Sequence, residues 1–121
     1  MLQTRRRNLV SDCPLTAALA AVGGKWKAII VYTLAESPQH FAALRGFMSD
    51  ISQKVLTEQL GELIADDIVR REPTGPAPAP VIYSLTDYGY SLLPIIDHLK
   101  TWGRGHIERF RDANDTPSEE T

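Results

Sequence analysis

The chain has 121 residues, 43% hydrophobic and 23% charged, which is enough for one compact domain with its own core and excludes a disordered composition. The formal net charge of -2 excludes a uniformly basic surface, such as one that binds nucleic acid through overall charge. A local basic patch is still allowed, because four carboxylates are concentrated at the end of the chain and the remainder stands at +2: Asp112, Asp115, Glu119 and Glu120.

The basic residues cluster at three places, "TRRRN" (Arg5, Arg6, Arg7), "GGKWK" (Lys25, Lys27) and "VRRE" (Arg70, Arg71). The single cysteine, Cys13, excludes an internal disulfide framework and fits a reducing compartment. No apolar run approaches the ~20 residues that span a bilayer. We therefore expect a cytoplasmic protein that has no membrane partner.

Residues 1–12 form a basic arm. The segment "CPLTAALAAV" predicts a helix with Pro14 at its first position, where a missing N–H costs nothing, and Gly23-Gly24 as its stop. A second helix is expected from Trp26 to Ala35, followed by a loop at "ESPQH".

The segment "FAALRGFM" predicts a short third helix with Phe41, Leu44 and either Phe47 or Met48 facing inward. After a tight "SD" turn, a longer helix is expected to begin near Ser52, a good N-cap residue. It carries an apolar stripe with helical spacing at Leu56, Leu60, Leu63 and Ile64. Two helices joined by such a turn are typical of a helix-turn-helix.

The hydrophobic period then changes to two in "IVRRE" and "VIYSL", which predicts two strands. Between them "PTGPAPAP" is rich in proline, which cannot extend a strand ladder, so it predicts a stiff hairpin loop. The resulting fold class is mainly α with a β-hairpin wing, a winged helix-turn-helix.

Thr86 is expected to cap a terminal helix that runs to about Phe110, with Pro94 kinking or splitting it. An apolar seam on this helix is too large for the surface of a monomer and predicts a homodimer interface. We assign to that interface Leu92, Ile95, Leu99, Trp102 and Phe110. Residues 13–110 are thus the predicted domain with its dimerisation helices, and residues 111–121 an acidic flexible tail.

The outward face of the helix from Ser52 is polar and points to double-stranded DNA as its partner. The N-terminal residues of a recognition helix meet base edges in the major groove, where Gln suits adenine and Lys suits guanine or phosphate. The predicted contacts are Ser52, Gln53, Lys54, Thr57, Arg45, Arg70 and Arg71. Because neighbouring strand residues face opposite ways, one of the last two is expected to face DNA. From these residues alone a merely solvated polar face remains the alternative.

Three segments, "CPLTAALAAVGGKWKAIIVYTL", "HFAALRGFMSDISQKVLTEQL" and "PVIYSLTDYGYSLLPIIDHLKTWG", resemble the HxlR family of bacterial winged helix-turn-helix regulators, relatives of the MarR-like proteins. The resemblance implies a homodimeric transcription factor, a repressor in our interpretation, whose terminal helices form the dimer interface. The chain departs from the family pattern at Gly61, where a basic residue is usual, at Asp67, where glycine is usual, and in a wing tip without basic residues. Fewer phosphate contacts predict a shallower salt dependence. These departures keep open a winged-helix protein-interaction module without DNA binding.

Cys13 lies at a predicted helix N-terminus near three arginines, two features that lower a thiol pKa. The resemblance adds that some family members sense electrophiles or oxidants with a cysteine at this position; the alternative is a small buried hydrophobe. The histidines His40, His98 and His106 form no metal set, since the last two lie about two helical turns apart. No catalytic motif is present, so neither enzyme activity nor a cofactor is expected.

Overall fold

The computed structural model describes residues 12–115, with side chains as far as Arg111. Two parts of the chain lie outside this range: the segment of the predicted basic arm that carries Arg5, Arg6 and Arg7, and the final residues 116–121. In chain order the elements are α1 Pro14–Val22, α2 Lys27–Glu36, β1 Gln39–His40, α3 Phe41–Gly46, α4 Gln53–Ala65, β2 Val69–Pro73, β3 Val81–Leu85, α5 Asp87–Tyr90 and α6 Leu93–Asp115.

The first helix follows its predicted signals. Pro14 occupies the first turn of α1 and Gly23 is its C-cap. A Cβ at Gly23 would lie 2.2 Å from the Leu19 carbonyl oxygen, and Gly24 has φ of +83°. Both positions therefore require glycine, which explains the "GG" that ends α1.

The sheet has three antiparallel strands in the order β1-β3-β2. The predicted hairpin pairs Arg70 with Ser84 and Arg71 with Tyr83. The third strand was not predicted: Gln39–His40, within the expected loop, pairs with the other edge of β3. Two residues are too few to show a period, so this pairing comes from tertiary structure.

The core lies where α2, α3, α4 and the sheet meet. Its side chains are buried: Ile30, Val31, Leu34, Leu44, Met48, Ile51, Leu56, Leu60, Leu63, Ile68, Val69, Leu85 and Ile96. Between the two candidates after α3, Met48 faces inward whereas Phe47 is 63% exposed. The predicted leucine stripe of α4 is confirmed as its inward face.

The terminal helix is split, as Pro94 predicted. The Thr86 hydroxyl accepts a hydrogen bond from the Gly89 N–H at 2.9 Å and caps α5, and α6 begins at Leu93 with Pro94 in its first turn. The helix runs to Asp115 rather than ending near Phe110. Its first residues therefore enter the core while most of its length extends beyond it.

Within residues 12–115, no single helix is long and apolar enough to cross a membrane; α1 and α2 taken together would pass on length and composition, with a bend of 67° between them.

Candidate nucleic-acid interface

The start of α4 is fixed by a side-chain cap. The Ser52 hydroxyl accepts a hydrogen bond from the Val55 N–H at 3.1 Å, which satisfies one N–H of the first turn. Burial of Leu56 and Leu60 then sets the rotation of the helix about its axis. As a result Ser52, Gln53 and Lys54 are all exposed at its N-terminal end.

The polar face continues along the helix as predicted. Thr57 and Glu58 are exposed one turn further on, and Gly61 follows on the same face. A Cβ at Gly61 would meet no atom within 4 Å. Among the described residues, this glycine therefore serves no close approach.

Arg45 supports the turn between α3 and α4. Its Nε donates a hydrogen bond to the Ile51 carbonyl oxygen at 3.1 Å, which holds the backbone just before the recognition helix. The exposed side chain also lines an open groove of about 580 Å³ with Ser49 and Gln53. Arg45 is thus placed beside the start of α4, where its charge is available to a ligand.

A second groove, of about 470 Å³, lies between α4 and the sheet. Gln53 and Thr57 line it from the helix and Val81 and Tyr83 from β3, with His40 also in its wall. The sequence analysis considered His40 only as a metal ligand and missed this position. The missing signal was strand β1, because its pairing with β3 places His40 beside the recognition helix.

Arg70 and Arg71 do not join the residues at the start of α4. Both are exposed, and both line a separate groove of about 480 Å³ near the base of the wing, with Asp67 and Asp87 in its wall. The two arginines therefore share one groove on the edge strand β2, and two carboxylates accompany their positive charge.

The basic cluster at "GGKWK" is smaller than its sequence indicates. Lys27 is 5% exposed, and its Nζ forms an ion pair with Glu62 of α4 and donates to the Ala20 carbonyl oxygen of α1 at 3.4 Å. Buried charges are normally paired in this way. The expectation that Lys27 adds to a basic surface patch is therefore wrong; it links α1, α2 and α4 inside the fold.

The wing loop offers no charge at its tip. Thr74 donates to the Pro80 carbonyl oxygen through both its N–H, at 2.9 Å, and its hydroxyl, at 2.8 Å. These bonds close the loop at its base. Residues 74–80 contain no basic side chain, so any phosphate contact by the wing falls to its strands.

The outer face of α6 carries exposed apolar side chains in the single chain. Four of the predicted interface residues are about half exposed or more: Ile95 49%, Leu99 54%, Trp102 68% and Phe110 54%. The fifth, Leu92, is partly buried against the core. His106 stacks on the Trp102 ring at 4.7 Å and meets the edge of Phe110 at 4.8 Å. Exposed Leu15 and Leu19 add a similar surface on α1.

Cys13 is the N-cap residue of α1 and is exposed. In the thiolate form, hydrogen bonds from the Thr16 backbone N–H, the Thr16 hydroxyl and the Leu15 N–H hold the pKa of Cys13 below its ordinary value. The single chain thus exposes Cys13 rather than burying it as a small hydrophobe, and the thiolate is favoured by the first turn of α1.

Comparison with known proteins gives a consistent result. A family profile described as HxlR-like helix-turn-helix matches residues 21–111. The HTH-type transcriptional regulator YdeP of Bacillus subtilis (strain 168) is 40% identical over 97 residues, which cover 80% of this chain and 76% of YdeP. The relatives are transcriptional regulators and not enzymes, which confirms the expectation from the missing catalytic motifs.

Two solved structures extend the set, and one of them is described as a redox regulator. The structure described as redox regulator HypR in its reduced form matches with a TM-score of 0.77 and 38% identity, covering 83% of this chain and 99% of HypR. The reduced form of the regulator YodB from Bacillus subtilis matches with a TM-score of 0.67 and 32% identity, covering 76% of this chain and 91% of YodB. These likenesses confirm the winged-helix fold class.

Proposed function

The chain belongs to the HxlR-like helix-turn-helix family, and on that premise we propose that it is a cytoplasmic, sequence-specific DNA-binding repressor that acts as a homodimer on a pseudo-palindromic operator. The observation that carries the proposal is the exposed polar start of α4, where Ser52, Gln53 and Lys54 project from a capped helix end. A helix presented in this way fits the major groove of DNA.

Each residue at this end has a chemical role. The Gln53 amide can both donate to and accept from the adenine edge, while Lys54 reaches guanine or phosphate. The positive end of the helix dipole favours a phosphate oxygen beside Ser52. Thr57 adds a contact one turn on, and Arg45 supplies permanent charge from the neighbouring groove. One of Arg70 and Arg71 serves the flanking DNA backbone at the base of the wing.

The homodimer follows from the apolar face of α6. Leu99, Trp102 and Phe110 are more than half exposed in the single chain, and a contiguous apolar stripe of this kind marks a protein interface. Pairing of α6 with the same helix of a second copy would cover it by two-fold symmetry. The two recognition helices of such a dimer read half-sites about 34 Å apart.

In this proposal, an oxidant or electrophile regulates DNA binding by reacting with Cys13. HypR is described as a redox regulator, and here Cys13 is exposed with a lowered pKa. As the sole cysteine, it can form a disulfide across the dimer, a mixed disulfide with a small thiol, or a carbon–sulfur bond with an electrophile. Each product adds a tether or bulk at the start of α1.

The Lys27 contacts offer a route from α1 to the recognition helix. Lys27 binds the last turn of α1 through the Ala20 carbonyl oxygen and the side of α4 through Glu62. Movement of α1 would disturb a buried charge, which is costly to leave without its partner. A covalent change at Cys13 can thereby alter the spacing or tilt of the recognition helices.

The deciding experiment measures binding of the purified chain to a duplex from upstream of its own gene and to a shuffled duplex, with and without diamide. We expect tighter binding to the upstream duplex, weakened by diamide in the wild type and unaffected by diamide in Cys13→Ser. Equal, weak binding to both duplexes would favour the alternative, a winged-helix protein-interaction module, which Gly61 and the uncharged wing loop support. An identical effect of diamide on wild type and Cys13→Ser would show that Cys13 does not sense the oxidant.

A further inference from the structure

The two grooves beside the start of α4 adjoin each other and share Phe41, Ala42 and Gln53. Arg45 and Ser49 line the first, and His40 and Thr57 line the second. Gln53 lines both. A DNA backbone that passes across the start of α4 would therefore meet a permanent cation on one side of Gln53 and an imidazole on the other.

The hydrogen bond of His40 fixes how its ring can act. Its Nδ1 lies 3.2 Å from the Val81 carbonyl oxygen. Since a carbonyl oxygen only accepts, Nδ1 must carry a proton and donate it. The exposed ring is left with Nε2, which is an acceptor in the neutral imidazole and a charged donor in the imidazolium.

We propose that His40 is a phosphate contact of the DNA interface that acts only when its imidazole is protonated, so that DNA affinity depends on pH. The inference rests on the proposed DNA-binding function and adds a residue and a condition to it. A phosphate oxygen accepts from Nε2–H and cannot accept from bare Nε2, so only the imidazolium completes the contact.

Among the described residues that line its groove, His40 has no charged neighbour. Tyr83 of β3 is the only other titratable side chain there; α4 contributes Gln53 and Thr57, and the wing contributes Pro80 and Val81. The cation Arg45 of α3 lines the other groove.

The direction of the pH effect follows from linkage. A bound phosphate favours the imidazolium of His40 over the neutral ring, through its charge and through the hydrogen bond from Nε2–H. Affinity is therefore highest at acidic pH, where the imidazolium predominates, and falls as rising pH replaces it with the neutral ring. A charge-assisted hydrogen bond of ordinary strength changes affinity by about tenfold per contact.

The test uses fluorescence anisotropy with a shuffled duplex of about 30 base pairs, because a phosphate contact does not depend on sequence. All variants carry Cys13→Ser, which removes the thiol from the titration. Affinity is measured at constant ionic strength near pH ~5.5 and ~8.5. His40→Gln keeps a polar side chain without charge, His40→Arg keeps charge at both pH values, and His98→Gln removes an exposed histidine on α6 as the matched control.

For each protomer in contact with the duplex, the parent and His98→Gln should bind about tenfold more weakly at the higher pH, with a salt slope lower by about 0.9. The His40→Gln variant should match the parent at the higher pH and vary little with pH, while His40→Arg should remain tight throughout. A full pH response in His40→Gln would overturn the proposal. So would equal affinity of His40→Arg and His40→Gln at the higher pH. Failure of the proposed function is seen separately, as a missing preference of the parent for the upstream duplex.

Discussion

The recognition helix α4 and the terminal helix α6 carry apolar stripes with similar helical spacing, yet they end in opposite environments. Leu56, Leu60 and Leu63 on α4 are at most 2% exposed, whereas Leu99 and Trp102 on α6 are 54% and 68% exposed. The pattern alone does not distinguish these outcomes.

The difference lies in what the rest of the chain supplies. The α4 stripe faces α2 and the sheet, so the polar side of this helix is exposed. On α6 only the opening segment reaches the core, where Ile96 is 4% exposed, and the remainder passes beyond the packed elements. The apolar face of α4 is therefore covered within the single chain, whereas that of α6 stays exposed and is the face that we propose a second copy covers.

The largest expected effect is at Trp102. The Trp102→Asp change places a charge in the centre of the α6 stripe, where burial without a partner is costly. We expect a folded monomer or an insoluble chain, without operator binding, measured by sedimentation and anisotropy. Arg104→Asp introduces the same residue about 200° around the helix axis, and this variant should remain dimeric. A wild type that sediments as a folded monomer at micromolar concentration would contradict the predicted interface.

At the recognition helix we expect smaller and more selective effects. Loss of a base contact in Gln53→Ala should cost roughly 1–3 kcal/mol and relax the sequence preference. Lys54→Ala, if its contact is to phosphate, should weaken all sequences alike and reduce the salt slope by about one ion. Circular dichroism should be unchanged in both, because both side chains are exposed. Unchanged operator affinity in both variants would remove this surface from the DNA interface.

The fold could be predicted to a large extent because its signals are local. Proline at Pro14, the cap at Ser52 and the leucine stripe of α4 each act within one helix, and all three are confirmed. The misses depended on distant contacts. Strand β1 exists only through its pairing with β3, and the buried Lys27 pairs with Glu62, which lies 35 residues away. The assignment of site residues to DNA, to the dimer interface and to an effector is still a prediction. A surface that binds a partner is simply exposed in the single chain, so exposure alone does not identify the partner.

Cys13 allows a chemical test at the start of α1, the helix that exposes Leu15 and Leu19. Since the thiolate is the nucleophile and the Thr16 hydrogen bonds lower the pKa, alkylation of the folded chain should accelerate at a lower pH than alkylation of the same chain in urea. Thr16→Val removes the hydroxyl and should move the midpoint upward, whereas Thr33→Val leaves it unchanged. Identical profiles for the folded and denatured chains would show that the first turn of α1 does not activate the thiol.

Gly61 tests whether the polar face of α4 is a DNA surface that has lost one contact. Its Cβ position is open, so Gly61→Ala and Gly61→Lys should each raise the free energy of unfolding by up to about 1 kcal/mol through helix propensity. Only Gly61→Lys should also tighten DNA binding and steepen the salt slope by about 0.9. Equal DNA affinity in the two variants would favour the protein-interaction alternative.

The smallest expected effect concerns the C-terminal end of α4, which is capped by backbone hydrogen bonds. Asp67 has φ of +63°. Its N–H donates to the Ile64 carbonyl oxygen at 3.0 Å, and the Ile68 N–H donates to the Leu63 carbonyl oxygen at 2.9 Å. This pair of bonds is a Schellman motif, which favours glycine at the left-handed position. Asp67→Gly should therefore raise the free energy of unfolding by somewhat less than about 1 kcal/mol, measured by urea denaturation.

A matched control is available one residue earlier. Asp66 has φ of -87°, which needs no glycine, so Asp66→Gly should lower the free energy of unfolding because glycine adds freedom to the unfolded chain. Opposite signs for neighbouring substitutions would show that backbone conformation at Asp67 controls the effect. Since neither change touches α6, both variants should dimerise like the wild type. A loss of stability in Asp67→Gly would instead mean that the Asp67 side chain stabilises the end of α4 by more than the left-handed conformation costs.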